Sequence, residues 1–383
     1  MKRVGVIGGG QLAWMMGKAA KKLGVDLIVQ TPNPADPAVK TASSTIFATI
    51  DDINATKRLA KECDIITFEN EFVDLEQLFL LEQQGVCFHP NLIILKRLLD
   101  KYHQLSYFQS QSLPTPQFFL LDAEINSSQI KYIEEKFGFP LVIKARRHGY
   151  DGQGTFIINS IEEFKLKLAS LQFQANEFLV EEFVYFTKEL AIIAARAVNG
   201  DIVTYPVVET QQKQQVCRQV LTPAEIDESV LKEINQIAIK LLKSLGYVGI
   251  LAIELFLTQS NKILINEIAP RTHNSGHFSL DACKTSQFEQ HLRAICGLPL
   301  GSTKLICSCA VMVNLLGYEQ SQNRYLEKLR QIEQLTQTHL HWYGKNQFYP
   351  GRKMAHATTL LSRTDRSKAM AIANQIEEIW YIS

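Results

Sequence analysis

Within the first hundred residues, short apolar runs alternate with helical stretches. That order restricts this part of the chain to a doubly wound, parallel α/β sheet. Val4–Ile7 reads as a strand, Gly8-Gly9-Gly10 turns it, and Gln11–Leu23 has the apolar spacing of a helix capped by Gly24. Val25–Val29 and Asp64–Phe68 are further strands. Ligands of such sheets lie beyond the carboxyl ends of the strands, and Glu69 falls at such an end. The glycine turn fits two roles: a phosphate held against bare backbone, or close packing of strand against helix. A nicotinamide site calls for a carboxylate after the second strand, and Val29-Gln30-Thr31-Pro32 offers none.

The pattern changes at Leu113-Pro114-Thr115-Pro116, which opens a new unit. Residues 139–145 form an apolar strand carrying Lys144. Phe178–Val184 and Leu190–Ala197 read as strands, and Asn199-Gly200 predicts a hairpin between Leu190–Val198 and Ile202–Val208. Leu231–Leu245 is an amphipathic helix, followed by strands at Ile250–Leu257 and Ile263–Ile268. A small terminal unit begins near Cys307, with a strand at Ala310–Leu315 and a basic stretch at 345–353.

A length of 383 residues fits two or three domains, and 46% hydrophobic with 21% charged residues is ordinary globular composition. The net charge of +1 gives no electrostatic footprint for nucleic acid. No apolar run has membrane-spanning length. Seven scattered cysteines without a CxxC pair argue against a disulfide framework or a structural zinc site, and for a reducing, cytoplasmic compartment. Cys307 and Cys309 are expected to alternate faces on one strand.

Four stretches carry chemistry. Gly149-Tyr150-Asp151-Gly152-Gln153-Gly154-Thr155 is a glycine loop whose N–H groups can wrap phosphate oxygens, with Lys144 just upstream; an ordinary glycine hairpin reads the same way. If Ser260-Asn261 is a two-residue turn, Glu254 faces Glu267 in an apolar setting. Opposed carboxylates repel unless a hard divalent cation such as magnesium joins them; a longer turn would keep them apart. Asn266 then points to the other side unless the strand is distorted. Arg271-Thr272-His273-Asn274-Ser275-Gly276-His277 follows, and Arg271 suits a small oxyanion. His341-Trp342-Tyr343-Gly344-Lys345 and Pro350-Gly351-Arg352-Lys353 gather three cations, for a substrate phosphate or a solvated turn.

Together these segments resemble the N5-carboxyaminoimidazole ribonucleotide synthetases, a purine-biosynthesis family of the ATP-grasp superfamily. The likeness runs through GGGQL at 8–12, GYDGQGT at 149–155, EEFV at 181–184, INEIAPRTHNSGH at 265–277, VMVNLLG at 311–317, HWYGK at 341–345 and PGRKMAH at 350–356. It implies an N-terminal nucleotide-like α/β domain (1–100), an α+β ATP-grasp unit (101–297, with a lid lobe at about 115–187) and a C-terminal domain (298–383).

The resemblance also implies ATP contacts at Arg97, Lys144, Gly149–Thr155, Glu181, Glu182, Phe183, Val184, Glu189, Gln212, Asn266 and Glu267. Metal ligands map onto Glu254 and Glu267. Bicarbonate handling maps onto Arg271, His273 and Asn274, with Asp151 as a candidate base. The acceptor nucleotide, 5-aminoimidazole ribonucleotide, maps onto Glu69, Tyr150, Asp151, Lys345, Arg352 and Lys353. The family's homodimeric assembly is implied with the rest. The sequence departs from the family pattern at Ala13-Trp14, Phe72, Gln153 and Gln212. The rival readings are another ATP-grasp ligase, such as a formate-dependent transformylase, a nicotinamide oxidoreductase, and a nucleotide-binding protein without turnover.

Overall fold

The computed structural model describes residues 2–122, 126–147, 154–170, 177–320 and 325–382. Among these, the strands form three sheets. The first holds β1 (Arg3–Ile7), β2 (Asp26–Thr31), β3 (Ser44–Phe47) and β4 (Ile65–Phe68), in the order β3-β2-β1-β4. All its pairings are parallel, as the alternation predicts. β3 is the strand that the sequence reading omits. It lies at the sheet edge and none of its four residues is buried, so it carries no apolar run.

Helix Gln11–Leu23 ends at Gly24, whose φ of 64° is left-handed. The glycine turn before it is a packing device. A Cβ on Gly9 would lie 2.5 Å from the Thr31 side chain, and one on Gly10 would overlap the Glu69 carboxylate.

The second sheet holds β5 (Phe118–Leu120), β6 (Leu141–Ala145), β7 (Thr155–Ile158) and β8 (Phe178–Glu182), in the order β5-β8-β6-β7. Ile133 and Phe164, from helices Ser127–Phe137 and Ile161–Ser170, join Ile143 and Val180 in its core.

The third sheet has nine strands. They are β9 (Phe186–Arg196), β10 (Ile202–Thr204), β11 (Val208–Lys213), β12 (Val216–Thr222), β13 (Gly249–Thr258), β14 (Ile263–Ala269), β15 (Cys309–Leu316), β16 (Thr338–Trp342) and β17 (Lys353–Leu361). The order is β14-β13-β9-β11-β12-β15-β17-β16, with β10 paired to β9. Thr222 pairs with Ala310, so the terminal strands prolong the central sheet.

Helix Glu228–Leu245 buries Ile234, Leu241 and Leu242 in one cluster with Ile253 and Leu255. Each such side chain contributes about 1.5–3 kcal/mol by leaving water. Phe288, Leu292 and Ile295 pack with Met15 and Met16, which ties the central sheet to the N-terminal one.

Two local expectations change. The hairpin at Asn199-Gly200 forms, but its return strand stops at Thr204. Pro206 has no N–H for the ladder, and pairing with β9 resumes at Val208. Cys307 lies in a bend before β15, so it does not share that strand with Cys309.

Candidate active site

The three sheets enclose a cleft of about 1430 Å³. A drug-sized ligand fills roughly 300–1,000 Å³, so the volume suits two nucleotide-sized molecules.

One half of the cleft is built on β6, β8, β9, β11 and β14. Lys144 is buried, and its ammonium meets Glu181 Oε2 at 2.7 Å and Asn266 Oδ1 at 2.9 Å. Glu181, Glu182, Phe183 and Val184 line the cleft beside it, as does Thr155. Glu189 on β9 pairs with Thr210 on β11, and the amide of Gln212, two residues further along β11, hydrogen-bonds the Glu189 carboxylate. Burial raises the Glu189 carboxyl, and that hydrogen bond opposes the rise.

Glu254 and Glu267 stand opposite each other on β13 and β14. The expected two-residue turn is not what joins these strands. Leu257 pairs with Ile263, Thr258 N–H donates to Lys262 O at 3.0 Å, and Asn261 takes a φ of 59°. The longer turn shifts the register by one residue. A bulge restores it, because Leu255 pairs with Ile265 while Glu254 pairs with Glu267, leaving Asn266 unopposed. The distortion also brings Asn266 onto the cleft beside Glu267.

Burial and the neighbouring Glu267 push the Glu254 carboxyl well above the usual carboxylate range. Burial works the same way on Glu267, but the Lys101 ammonium bound to it wins and holds it low. Two facing carboxylates with one at odds with its charge form the oxygen donor set that a hard cation suits.

The other half of the cleft joins the N-terminal and terminal sheets. The Glu69 carboxylate accepts from Gly10 N–H at 3.0 Å and Leu12 N–H at 3.2 Å. It therefore occupies the anion-binding start of the first helix, and the glycine turn serves close packing. Burial raises the Glu69 carboxyl against these bonds and the charges of Lys345 and Arg271. The Lys345 ammonium donates to Gln11 Oε1 and, at 2.7 Å, to the Lys353 carbonyl. Arg352 and Lys353 line the same wall.

Arg271 and His273 lie between the halves. Arg271 Nε pairs with Glu71 at 2.8 Å, toward the acceptor wall, and His273 Nε2 meets Glu254 at 3.3 Å. Asn274 lines the cleft, but its carboxamide forms a reciprocal pair with Asn314, at 2.8 and 2.7 Å. That side chain locks the 274–277 turn onto β15.

Arg97 is a correction. It sits exposed at the end of helix Leu92–Leu98, its guanidinium 4.7 Å from the Tyr107 ring centre, and it does not line the cleft. Lys101 enters instead. Asp100 caps a second helix, Lys101–Ser110, by accepting from Tyr102 and His103 N–H. The cap breaks the helical register, and the Asp100 signature before Lys101 was the available clue. Glu71 and Gln287 are further residues that the sequence reading missed. Gly154 accepts from Ala145 N–H at 2.7 Å but is not part of the cleft wall. Gly149, Tyr150, Asp151, Gly152 and Gln153 lie outside the described residues.

Three family models match successive parts of the chain. A ribonucleotide synthetase preATP-grasp domain matches residues 1–96, an ATP-grasp domain 106–288, and a phosphoribosylaminoimidazole carboxylase C-terminal domain 310–370. An N5-carboxyaminoimidazole ribonucleotide synthase from Synechococcus elongatus is 49% identical over 385 residues, covering 99% of this chain and 96% of its own. The chain belongs to the N5-carboxyaminoimidazole ribonucleotide synthase family. The ADP complex of one such synthetase superposes with a TM-score of 0.89 at 36% identity, covering 99% of this chain and 97% of that one. An Aspergillus clavatus synthase, in complex with ADP and 5-aminoimidazole ribonucleotide, gives 0.89 at 27% identity, with 99% and 98% covered. The synthase family explains why an ATP-grasp unit is flanked here by a parallel-sheet domain and a terminal extension of the central sheet.

Proposed function

We propose that the chain carboxylates the exocyclic amine of 5-aminoimidazole ribonucleotide, using ATP and bicarbonate, to give N5-carboxyaminoimidazole ribonucleotide for purine biosynthesis. One observation carries this reading. A single cleft is lined by the Glu254/Glu267 pair, by Lys345, Arg352 and Lys353, and by Arg271 and His273.

Bicarbonate oxygen attacks the γ-phosphorus of ATP, the bond to the β-phosphate oxygen breaks, and ADP leaves with carboxyphosphate formed. The amine nitrogen of the acceptor then attacks the carboxyl carbon. The carbon–oxygen bond to phosphorus breaks, phosphate departs, and a base takes the amine proton. Asp151 is our candidate for that base. Lys144 and Lys101 place positive charge where the ATP phosphates reach the cleft, and Arg271 orients the bicarbonate-derived oxyanion, so catalysis is mainly positioning and electrostatics.

Glu254 and Glu267 fit magnesium by their oxygen donors and their opposed charge. Bound there, it would neutralise charge on the phosphates. Glu181 to Val184 would hold the adenine edge, and Glu189 with Gln212 the ribose. Homodimeric assembly and a cytoplasmic site of action rest on family resemblance and on the scattered free cysteines.

Oxygen-labelled bicarbonate tests the chemistry. One label per turnover should appear in inorganic phosphate. Phosphate carrying no bicarbonate oxygen would exclude carboxyphosphate.

A further inference from the structure

Gln287 is fully buried at the start of helix Gln287–Cys296 and reads the backbone of His273. Its Oε1 accepts from His273 N–H at 2.9 Å, and its Nε2 donates to His273 O at 2.7 Å. A flipped amide would set donor against donor and acceptor against acceptor, so its orientation is fixed. The second Nε2 hydrogen faces His277 Nδ1 at 3.1 Å. Position 276 is glycine because a Cβ there would lie 2.6 Å from Gln287 Oε1.

His277 Nδ1 is therefore the acceptor. The imidazole is buried, and the titratable groups facing it are His273, Lys353, His341, Arg271 and the His356 ring at 5.1 Å. Burial first, then the positive charge of neighbours such as Lys353 and Arg271, keeps it neutral. A neutral ring with Nδ1 accepting carries its proton on Nε2. Among the described residues, nothing accepts from that Nε2, yet His277 lines the cleft beside Arg271 and His273. An unmade hydrogen bond at a buried donor is unfavourable until a ligand supplies the acceptor.

We propose that His277 Nε2–H donates to a bicarbonate-derived oxygen during carboxyl transfer, with Gln287 as the positioning residue that sets its tautomer. This rests on the function proposed above. A neutral imidazole stabilises charge gathering on that oxygen without surrendering its proton.

Three variants and one spectrum test it. His277→Phe keeps the volume without the donor, and its kcat should fall roughly 100-fold while KM for ATP holds. His277→Gln restores an amide donor and should keep about a tenth or more of the activity. Gln287→Glu replaces the donor to Nδ1 with an acceptor. Its activity should survive only toward acid, where the imidazole is doubly protonated, unlike that of the wild type. Nitrogen-15 spectra of histidine-labelled wild type should show His277 protonated on Nε2, which remains decisive if a variant fails to fold. A wild-type Nδ1–H tautomer, or full kcat in a folded His277→Phe, overturns the inference alone. A wild type that makes no ADP from the combined substrates overturns the proposed function, and this inference with it.

Discussion

Glu254 and Glu267 face each other across β13 and β14 because a bulge at Asn266 cancels the one-residue shift made by the turn. The pairing puts two carboxylates where only one carries its charge readily, since Lys101 serves Glu267 and burial opposes Glu254. Glu267→Gln removes the better ionised partner. We expect its bicarbonate-dependent ADP release to drop by more than about 100-fold, with the fold intact by circular dichroism. Turnover near that of wild type would remove Glu267 from the metal site.

Lys101 and Arg97 make a paired prediction. Lys101→Met should raise KM for ATP by roughly tenfold or more, because the cleft loses a desolvated cation. Arg97→Ala forfeits only an exposed contact over Tyr107, worth about 0.5–1 kcal/mol, and should leave steady-state kinetics near those of wild type. The reverse ranking would restore Arg97 to the site.

Much of this site was legible in the sequence, and the failures have physical causes. Lys144, Glu254, Arg271 and Lys345 each sit on a segment whose period or turn chemistry marks its place, and each lines the cleft. The Glu254–Glu267 pairing was right although the turn was wrong, because a bulge at a polar strand position leaves no mark in the apolar alternation. Lys101 was missed because its place in the cleft depends on the Asp100 cap and on a contact with Glu267 across the fold, which local pattern does not encode. Glu71 and Gln287 act through contacts across the fold, with Arg271 and with the His273 backbone, which local pattern does not encode.

Asp100 couples that cap to pH. Burial alone would raise its carboxyl, but the Arg146 guanidinium at 2.8 Å and the helix N–H groups hold it below the usual range. A depressed acid stabilises the folded state above its unfolded value, near pH 4, and that contribution is lost as pH falls through the folded value. Asp100→Ala should cost roughly 3 kcal/mol in denaturant unfolding at pH 7, because it removes a buried carboxylate that both caps the helix and pairs with Arg146. The gap from wild type should narrow in acid. A gap independent of pH would show that Asp100 acts only as packing.

Gly10 tests the acceptor wall. An alanine methyl there would displace the Glu69 carboxylate from the Gly10 and Leu12 N–H groups. Gly10→Ala should raise KM for the aminoimidazole ribonucleotide by roughly tenfold, in line with losing a charge-assisted hydrogen-bond set. ADP binding, read by calorimetry, should stay as in wild type. Loss of ADP binding would mean that the turn serves the ATP half.

The most direct test of the whole account is ADP release measured with ATP, magnesium, bicarbonate and 5-aminoimidazole ribonucleotide, each omitted in turn. The account predicts turnover with the full set and a collapse to background on any single omission. Turnover that persists without bicarbonate or the aminoimidazole nucleotide, or that needs formate in their place, would contradict it.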